Sequence, residues 1–327
     1  MHKTEGQRFL PPARAQLLAD LRWLLLSPPL LCDSLFPGQI QSFSSDERES
    51  IEQWLLQLAS REPPVCASDF EMQTYQRLGR YAEKLLWFFL LNFPNASHPL
   101  DATEDMKAYQ LVAHNLAINS NVAGARTQGE IDFLLRDSQG RPWHWELAVK
   151  FFVCEPASVR VARDTVEAFE IIGPNRKDRL SLKIGKLFCR QLRHIIPAPY
   201  GDTGWQPQAF AKGRIYYHLD ESPPQHSLHL GKPLLNPEHE RGFWCLANEV
   251  HLLEAKFQGA TLYPLNRSEW LSPKSAETIV QDRVQLNIGA MPDASTLPLM
   301  VAVMRDNIEL GRGFLLPVDH LQKPMMA

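Results

Sequence analysis

Apolar residues recur at helical spacing in the first part of the chain and alternate with polar ones farther on. Residues 1–60 read as helical, with a break at "SPPLL" (27–31). Ser44-Ser45-Asp46-Glu47 forms a capped start for "RESIEQWLLQLA". "EMQTYQRLGRYAEKLLWFFLLNF" (71–93) predicts a long helix that stops before Pro94. "MKAYQLVAHNLAINS" (106–120) fits a short helix or a strand. Two strands follow, "GEIDFLLR" and "RPWHWELAVKFFV", and residues 178–196 predict another helix. Beyond 200, Pro and Gly rise and short strands dominate: "GRIYYHL", "GFWCLA", and the pair "PLMVAVMR" and "IELGRGFLLP" around Asp306-Asn307. The pattern predicts an α/β protein with a mixed central sheet flanked by helices. Its expected parts are a helical N-terminal region (1–60), an α/β core (61–199) and a strand-rich part (200–327) packed on that core.

One strand breaks the apolar pattern. In "HWELAVKFF" (144–152), Trp145, Leu147, Val149 and Phe151 fall on one face. His144, Glu146, Ala148, Lys150 and Phe152 fall on the other. A buried unpaired charge costs several kcal/mol, so Glu146 and Lys150 are not there for stability. They reach solvent, pair with neighbours, or belong to a site.

The loop Ser138-Gln139-Gly140 suits a hairpin, with Gly supplying the left-handed conformation. That register sets Asp132 opposite Glu146, Glu130 opposite Ala148 and Gln128 opposite Lys150. Cross-strand partners project to one side, with Cβ atoms about 5 Å apart. Glu130, Asp132, Glu146 and Lys150 then share a face. Carboxylates that close repel one another unless a cation sits among them. A divalent ion with oxygen ligands, usually Mg²⁺, would answer that need. A solvated sheet face with ordinary charge alternation is the plain alternative.

These residues resemble a known family. A helix glutamate, a strand "GxxD" and a strand ending in carboxylate-x-lysine form the pattern of the PD-(D/E)XK phosphodiesterase superfamily, which includes restriction endonucleases. "GEIDFLL" is similar to its second-strand motif, "WELAVKF" to its third, and "LGRYAEKL" to its first-helix motif. The whole chain also resembles an uncharacterised bacterial family, a domain of unknown function placed in that superfamily. "SPPLL", "GPNRKDRL", "LNPEHERGFW" and "RGFLLP" carry that likeness from end to end. The resemblance implies a restriction-endonuclease-like fold and Mg²⁺- or Mn²⁺-dependent hydrolysis of nucleic acid, DNA above all. It assigns Asp132, with Glu130 or Glu146, to the metal, helped by Glu83 through water and by the backbone carbonyl of Val149. Lys150 would orient the attacking water and stabilise charge in the transition state.

The chain departs from that pattern at one position. Ala148 stands where the superfamily has its carboxylate, and Glu146 lies four residues before Lys150. Four strand residues span about 13 Å, twice the usual separation. A bulge could bring Glu146 forward, or Glu130 could supply the carboxylate from the neighbouring strand. Otherwise the protein binds without cutting, or keeps only the fold.

Composition and charge add a second element. The chain has 327 residues, 44% of them hydrophobic, and a net charge of -3. Against that balance, residues 174–194 hold Arg176, Lys177, Arg179, Lys183, Lys186, Arg190 and Arg193 with Asp178 as their sole acid. From Arg179 to Arg193 the basic residues step by four and three, one helical stripe of a single sign. Leu180, Ile184, Leu187, Phe188 and Ile195 lie roughly opposite. A solvated amphipathic helix is the plain reading. Binding to a phosphate backbone is the functional one; the superfamily resemblance further implies that this helix lies beside the site, with Gln191 and Lys177 able to reach into it.

Other signals exclude more than they suggest. Five cysteines without CxxC fit a reducing, cytoplasmic setting and no structural zinc. His226, His229 and His239 lack cysteine partners. No apolar run spans a bilayer, and no membrane partner is expected. No Walker A loop, GxSxG elbow or GxGxxG fingerprint occurs. Core packing is the expected role of Trp205, Trp244 and Trp270, and of Cys154 as a small buried residue.

Overall fold

The computed structural model describes residues 13–70, 77–94, 107–118, 129–155, 165–167, 171–201, 204–221, 226–229, 231–279, 285–287 and 296–322. The protein is a mixed α/β protein with helices toward the N-terminus and strands in the C-terminal part. Its elements are α1 (Arg14–Leu26), α2 (Ser45–Ser60), α3 (Leu78–Asn92), β1 (Tyr109–Ile118), β2 (Gly129–Asp137), β3 (Pro142–Cys154), β4 (Thr165–Glu167), β5 (Ile171–Ile172), α4 (Leu180–Cys189) and β6 (Gln206–His218). They continue through β7 (His226–His229), β8 (Lys232–Pro233), β9 (Glu240–Leu246), α5 (Val250–Lys256), β10 (Thr261–Pro264), β11 (Leu286–Asn287), β12 (Leu299–Arg305) and β13 (Ile308–Leu316). Two compact units are interleaved along the chain. Unit 1 comprises Met1–Pro29, Phe36–Val149 and Ile184–Lys212; unit 2 comprises Leu30–Leu35, Lys150–Lys183 and Gly213–Ala327.

In unit 1 the strand order is β1-β2-β3-β6. α1 ends at Ser27, where Pro28 and Pro29 forbid its continuation. The buried Lys212 ammonium donates to the carbonyls of Leu25 and Ser27 there, a cation at a helix C-terminus. α2 starts with a capping box: Glu47 N–H donates to Ser44, and Ser44 N–H donates to Glu47. α1 and α3 meet at the fully buried Asp20, which accepts from the Tyr81 hydroxyl at 2.7 Å and from Gln16 at 2.9 Å. Aromatic rings link Trp54 to Phe89 and Phe93, Phe89 to Tyr109, Tyr109 to Trp145, and Trp145 to Phe210. Segment 106–120, open to two readings in the sequence, is the strand β1 over its described residues.

In unit 2 the order is β6-β9-β13-β12-β10-β11, with β5 paired to the end of β3. β4, β7 and β8 form a separate small sheet. The β12–β13 hairpin turns through Asp306 and Asn307 at φ 50 and 61, as its sequence predicts. The buried guanidinium of Arg312 forks onto Glu309 and also donates to the carbonyls of Trp270 and Ser272. This pins the segment after β10 to the strand. Trp244 and Cys154 are buried, and the Trp244 indole donates to the Cys154 carbonyl at 2.9 Å.

His239 is also buried in unit 2. Nδ1–H donates to the Asn236 carbonyl and Nε2 accepts from the Tyr217 hydroxyl. Burial holds its pKa down to about 4, so the ring is neutral and both nitrogens are taken. This accounts for His239 without zinc. Because the unfolded ring binds a proton that the folded one refuses, stability should fall as pH drops from about 6.5 to about 4. Denaturant midpoints across that window should show a shallower pH slope for His239→Gln than for the native chain.

Candidate functional site

β2 and β3 pair in the register expected from their turn: Phe133 opposite Trp145, Leu134 opposite His144, Leu135 opposite Trp143 and Arg136 opposite Pro142. One step further, side chains take over from the ladder. Leu147 N–H donates to Asp132 Oδ2 at 2.8 Å, and Asp132 N–H donates to Glu146 Oε1 at 3.4 Å. Two carboxylates thus accept amide protons that strand carbonyls would otherwise take. The β2–β3 ladder runs from Phe133 to Arg136, short of Glu130 and Ala148, and on its other side Glu130 pairs with Ala117 of β1. Gln128 lies outside the described residues.

Glu146 is 0% exposed and accepts hydrogen bonds from three groups of the protein. His144 Nε2–H donates at 2.9 Å and Gln191 Nε2 at 2.6 Å, besides the Asp132 amide. Burial holds the His144 pKa down to about 4, against the pull of Asp132, so the ring is neutral. His194 is close by: a Cβ on Gly129 would come within 2.7 Å of its Nε2. Burial and His144 lower the pKa of His194 as well.

The other acids gather around a residue the sequence reading did not assign. Arg80 Nη2 donates to Glu130 Oε2 at 2.9 Å, and Nη1 donates to Glu83 Oε2 at 2.6 Å. Nη1 also lies 3.3 Å from Glu130 Oε1 and 3.2 Å from Asn115 Oδ1. Burial, then the charge of Asp132, push the Glu83 carboxyl up to about 7, with Arg80 opposing them. The guanidinium pKa is raised, mainly by its bond to Glu130. Glu83, Glu130, Asp132 and Glu146 thus lie in one neighbourhood of unit 1, while Lys150, expected on the same face, belongs to unit 2.

These side chains do not fit the expected Mg²⁺ or Mn²⁺. A hard cation takes several free oxygens converging on one point. Here Glu146 accepts from His144, Gln191 and the Asp132 amide, Asp132 accepts from the Leu147 amide, and Arg80 holds Glu83 and Glu130. Among the described residues, no three acidic, histidine or cysteine side chains are arranged to hold a metal ion.

Val149 is the last residue of its stretch of unit 1, and Lys150 begins the next stretch of unit 2. There the Lys150 ammonium pairs with Asp178, whose other oxygen accepts from Arg179 N–H at 3.0 Å. Asp178 had registered in the sequence only as the lone acid among cations. Close backbone approach fixes the Lys150 carbonyl: Gly213, at φ +155, lies directly against it.

The basic stripe is shorter than its periodicity predicts. α4 ends at Cys189, Arg190 turns out of the helix at φ -129, and Gln191–Arg193 form a 3₁₀ turn. Leu180, Ile184, Leu187 and Phe188 are buried as expected, but Ile195, beyond the helix, is 88% exposed. Arg176 is buried against Glu155 and gone from the surface. Lys177 is exposed, whereas Arg179 and Lys183 are half-buried; all four belong to unit 2. In unit 1, Lys186, Arg190 and Arg193 are exposed, and Gln191 reaches Glu146. No helix among the described residues is long and apolar enough to cross a membrane.

The model of a family described as a domain of unknown function, DUF1853, matches residues 19–315, and the chain belongs to that family. No curated protein and no solved structure matches significantly.

Proposed function

We propose that this DUF1853 protein binds the sugar–phosphate backbone of nucleic acid, DNA foremost, without cutting it. The observation that carries the reading is the run Lys186, Arg190 and Arg193. All three are exposed, and none is paired with an acid among the described residues. The bond from Gln191 to Glu146 ties this run to β3, so the cations ride on a fixed support. Phosphate contacts of this kind are independent of sequence and sensitive to salt. Three such contacts give a slope of log K on log salt of about -2.7, hence a loss of about 40-fold between roughly 50 and 200 mM.

The test is anisotropy of a labelled duplex against the full chain at those two salt levels. Lys186→Glu with Arg190→Glu should weaken binding more than about tenfold, while thermal stability stays within about 0.5 kcal/mol. Equal affinity of the double variant and the native chain would remove these cations from any interface.

The second reading is the metal-dependent nuclease implied by the PD-(D/E)XK resemblance. What favours it is the crowding of Glu83 and Asp132, which helps to raise the Glu83 pKa to about 7. Duplex cleavage in Mg²⁺ or Mn²⁺ that Asp132→Ala abolishes would establish it and displace the non-cleaving reading. Under it, Lys150→Met should keep binding and lose cleavage by about two orders of magnitude.

A further inference from the structure

We propose that Arg80 supplies, from within the chain, the positive charge that the superfamily resemblance assigns to a divalent cation. The inference stands apart from nucleic-acid binding: it concerns what neutralises the acidic cluster. Glu83, Glu130 and Asp132 are close enough for Asp132 and Glu130 both to act on the Glu83 carboxyl. Clustered carboxylates need a cation. Arg80, one helical turn before Glu83 on α3, provides it. Its guanidinium takes both oxygens of Glu130, at 2.9 and 3.3 Å, and one of Glu83, at 2.6 Å. Asn115, at φ 50 on β1, turns its amide oxygen to the same Nη1 at 3.2 Å. Four acceptor oxygens are thus arranged around a planar fork, a geometry suited to arginine and not to an octahedral ion. A metal and this guanidinium would compete for the same oxygens.

Competition makes the assignment testable with Mn²⁺ as the probe and the full chain as the protein. By calorimetry, the native chain should show no saturable Mn²⁺ binding, and Mn²⁺ should not shift its melting temperature. Arg80→Ala should melt lower and should gain a Mn²⁺ site, seen as a melting temperature that climbs with the logarithm of Mn²⁺. Adding Glu83→Gln and Glu130→Gln to Arg80→Ala should restore the native melting temperature and abolish Mn²⁺ binding, because Asp132 then stands without a second carboxylate to repel it or to share a metal. A single Mn²⁺ bound by the native chain and lost in Asp132→Ala would overturn the proposal. So would a folded Arg80→Ala that binds no Mn²⁺. If Arg80→Ala does not fold, the triple variant decides: rescue of folding supports the counterion role, and failure to rescue overturns it.

Discussion

Gly213→Ala should destabilise the protein by about 3–6 kcal/mol, combining overpacking with backbone strain. A methyl group at this position would sit far inside van der Waals contact with the Lys150 carbonyl oxygen and 2.9 Å from its carbonyl carbon. The obstacle is backbone in the middle of a strand, so no side-chain rotation relieves it. At φ +155 the residue also occupies a conformation that glycine adopts freely and alanine does not. Relief would require β3 or β6 to shift, at the expense of ladder hydrogen bonds. Urea denaturation measures the effect as a fall in midpoint with unchanged slope. Gly213→Ala melting with the native chain would mean that the two backbones do not approach in this way.

Glu146→Ala should be nearly as damaging, at about 3–5 kcal/mol. The substitution strips the acceptor from Gln191 Nε2, His144 Nε2 and the Asp132 amide in a place without solvent. Each buried donor left unsatisfied costs about 1–3 kcal/mol, and a cavity adds to that. Glu146→Gln separates a structural role from a ligand role. Its amide keeps one oxygen for His144 and Asp132, and the Gln191 amide can turn over to accept from the new NH₂. The cost should then stay below about 1 kcal/mol. If Glu146→Gln proves as harmful to folding as Glu146→Ala, then the negative charge itself is required and a cation must be near it.

Turn chemistry and parity together made the β2–β3 register legible, because Gly140 sets the loop and a one-residue slip would turn Leu134 and Phe133 inside out. The Ser44 cap and the Asp306-Asn307 hairpin were equally readable, since each rests on local hydrogen bonding or local φ. The meeting of Asp132 and Glu146 followed from that register. What the acids bond to did not. Arg80 stands three residues before Glu83, a spacing that signals a helix pair but not the reach to Glu130 on β2 and Asn115 on β1. His144 was placed on the right face without a role, because burial of both strand faces depends on distant segments. The basic stripe failed for a different reason. Its four-three spacing continues past Cys189, while the helix stops there and a 3₁₀ turn begins. Periodicity records which residues would share a face if the helix went on, and carries no stop signal here.

The interleaving of the two units bears on how the chain folds as it is made. Unit 1 lacks its final stretch until Lys212 has been synthesised. Leu30–Leu35 and Lys150–Lys183, by contrast, leave the ribosome long before the stretch from Gly213 onward that completes unit 2. At about 5–20 residues per second, that stretch takes on the order of ten seconds to emerge. For that time the apolar end of β3, with Phe151, Phe152 and Val153, has no finished sheet to join. Slower translation after residue 183 would lengthen that exposure.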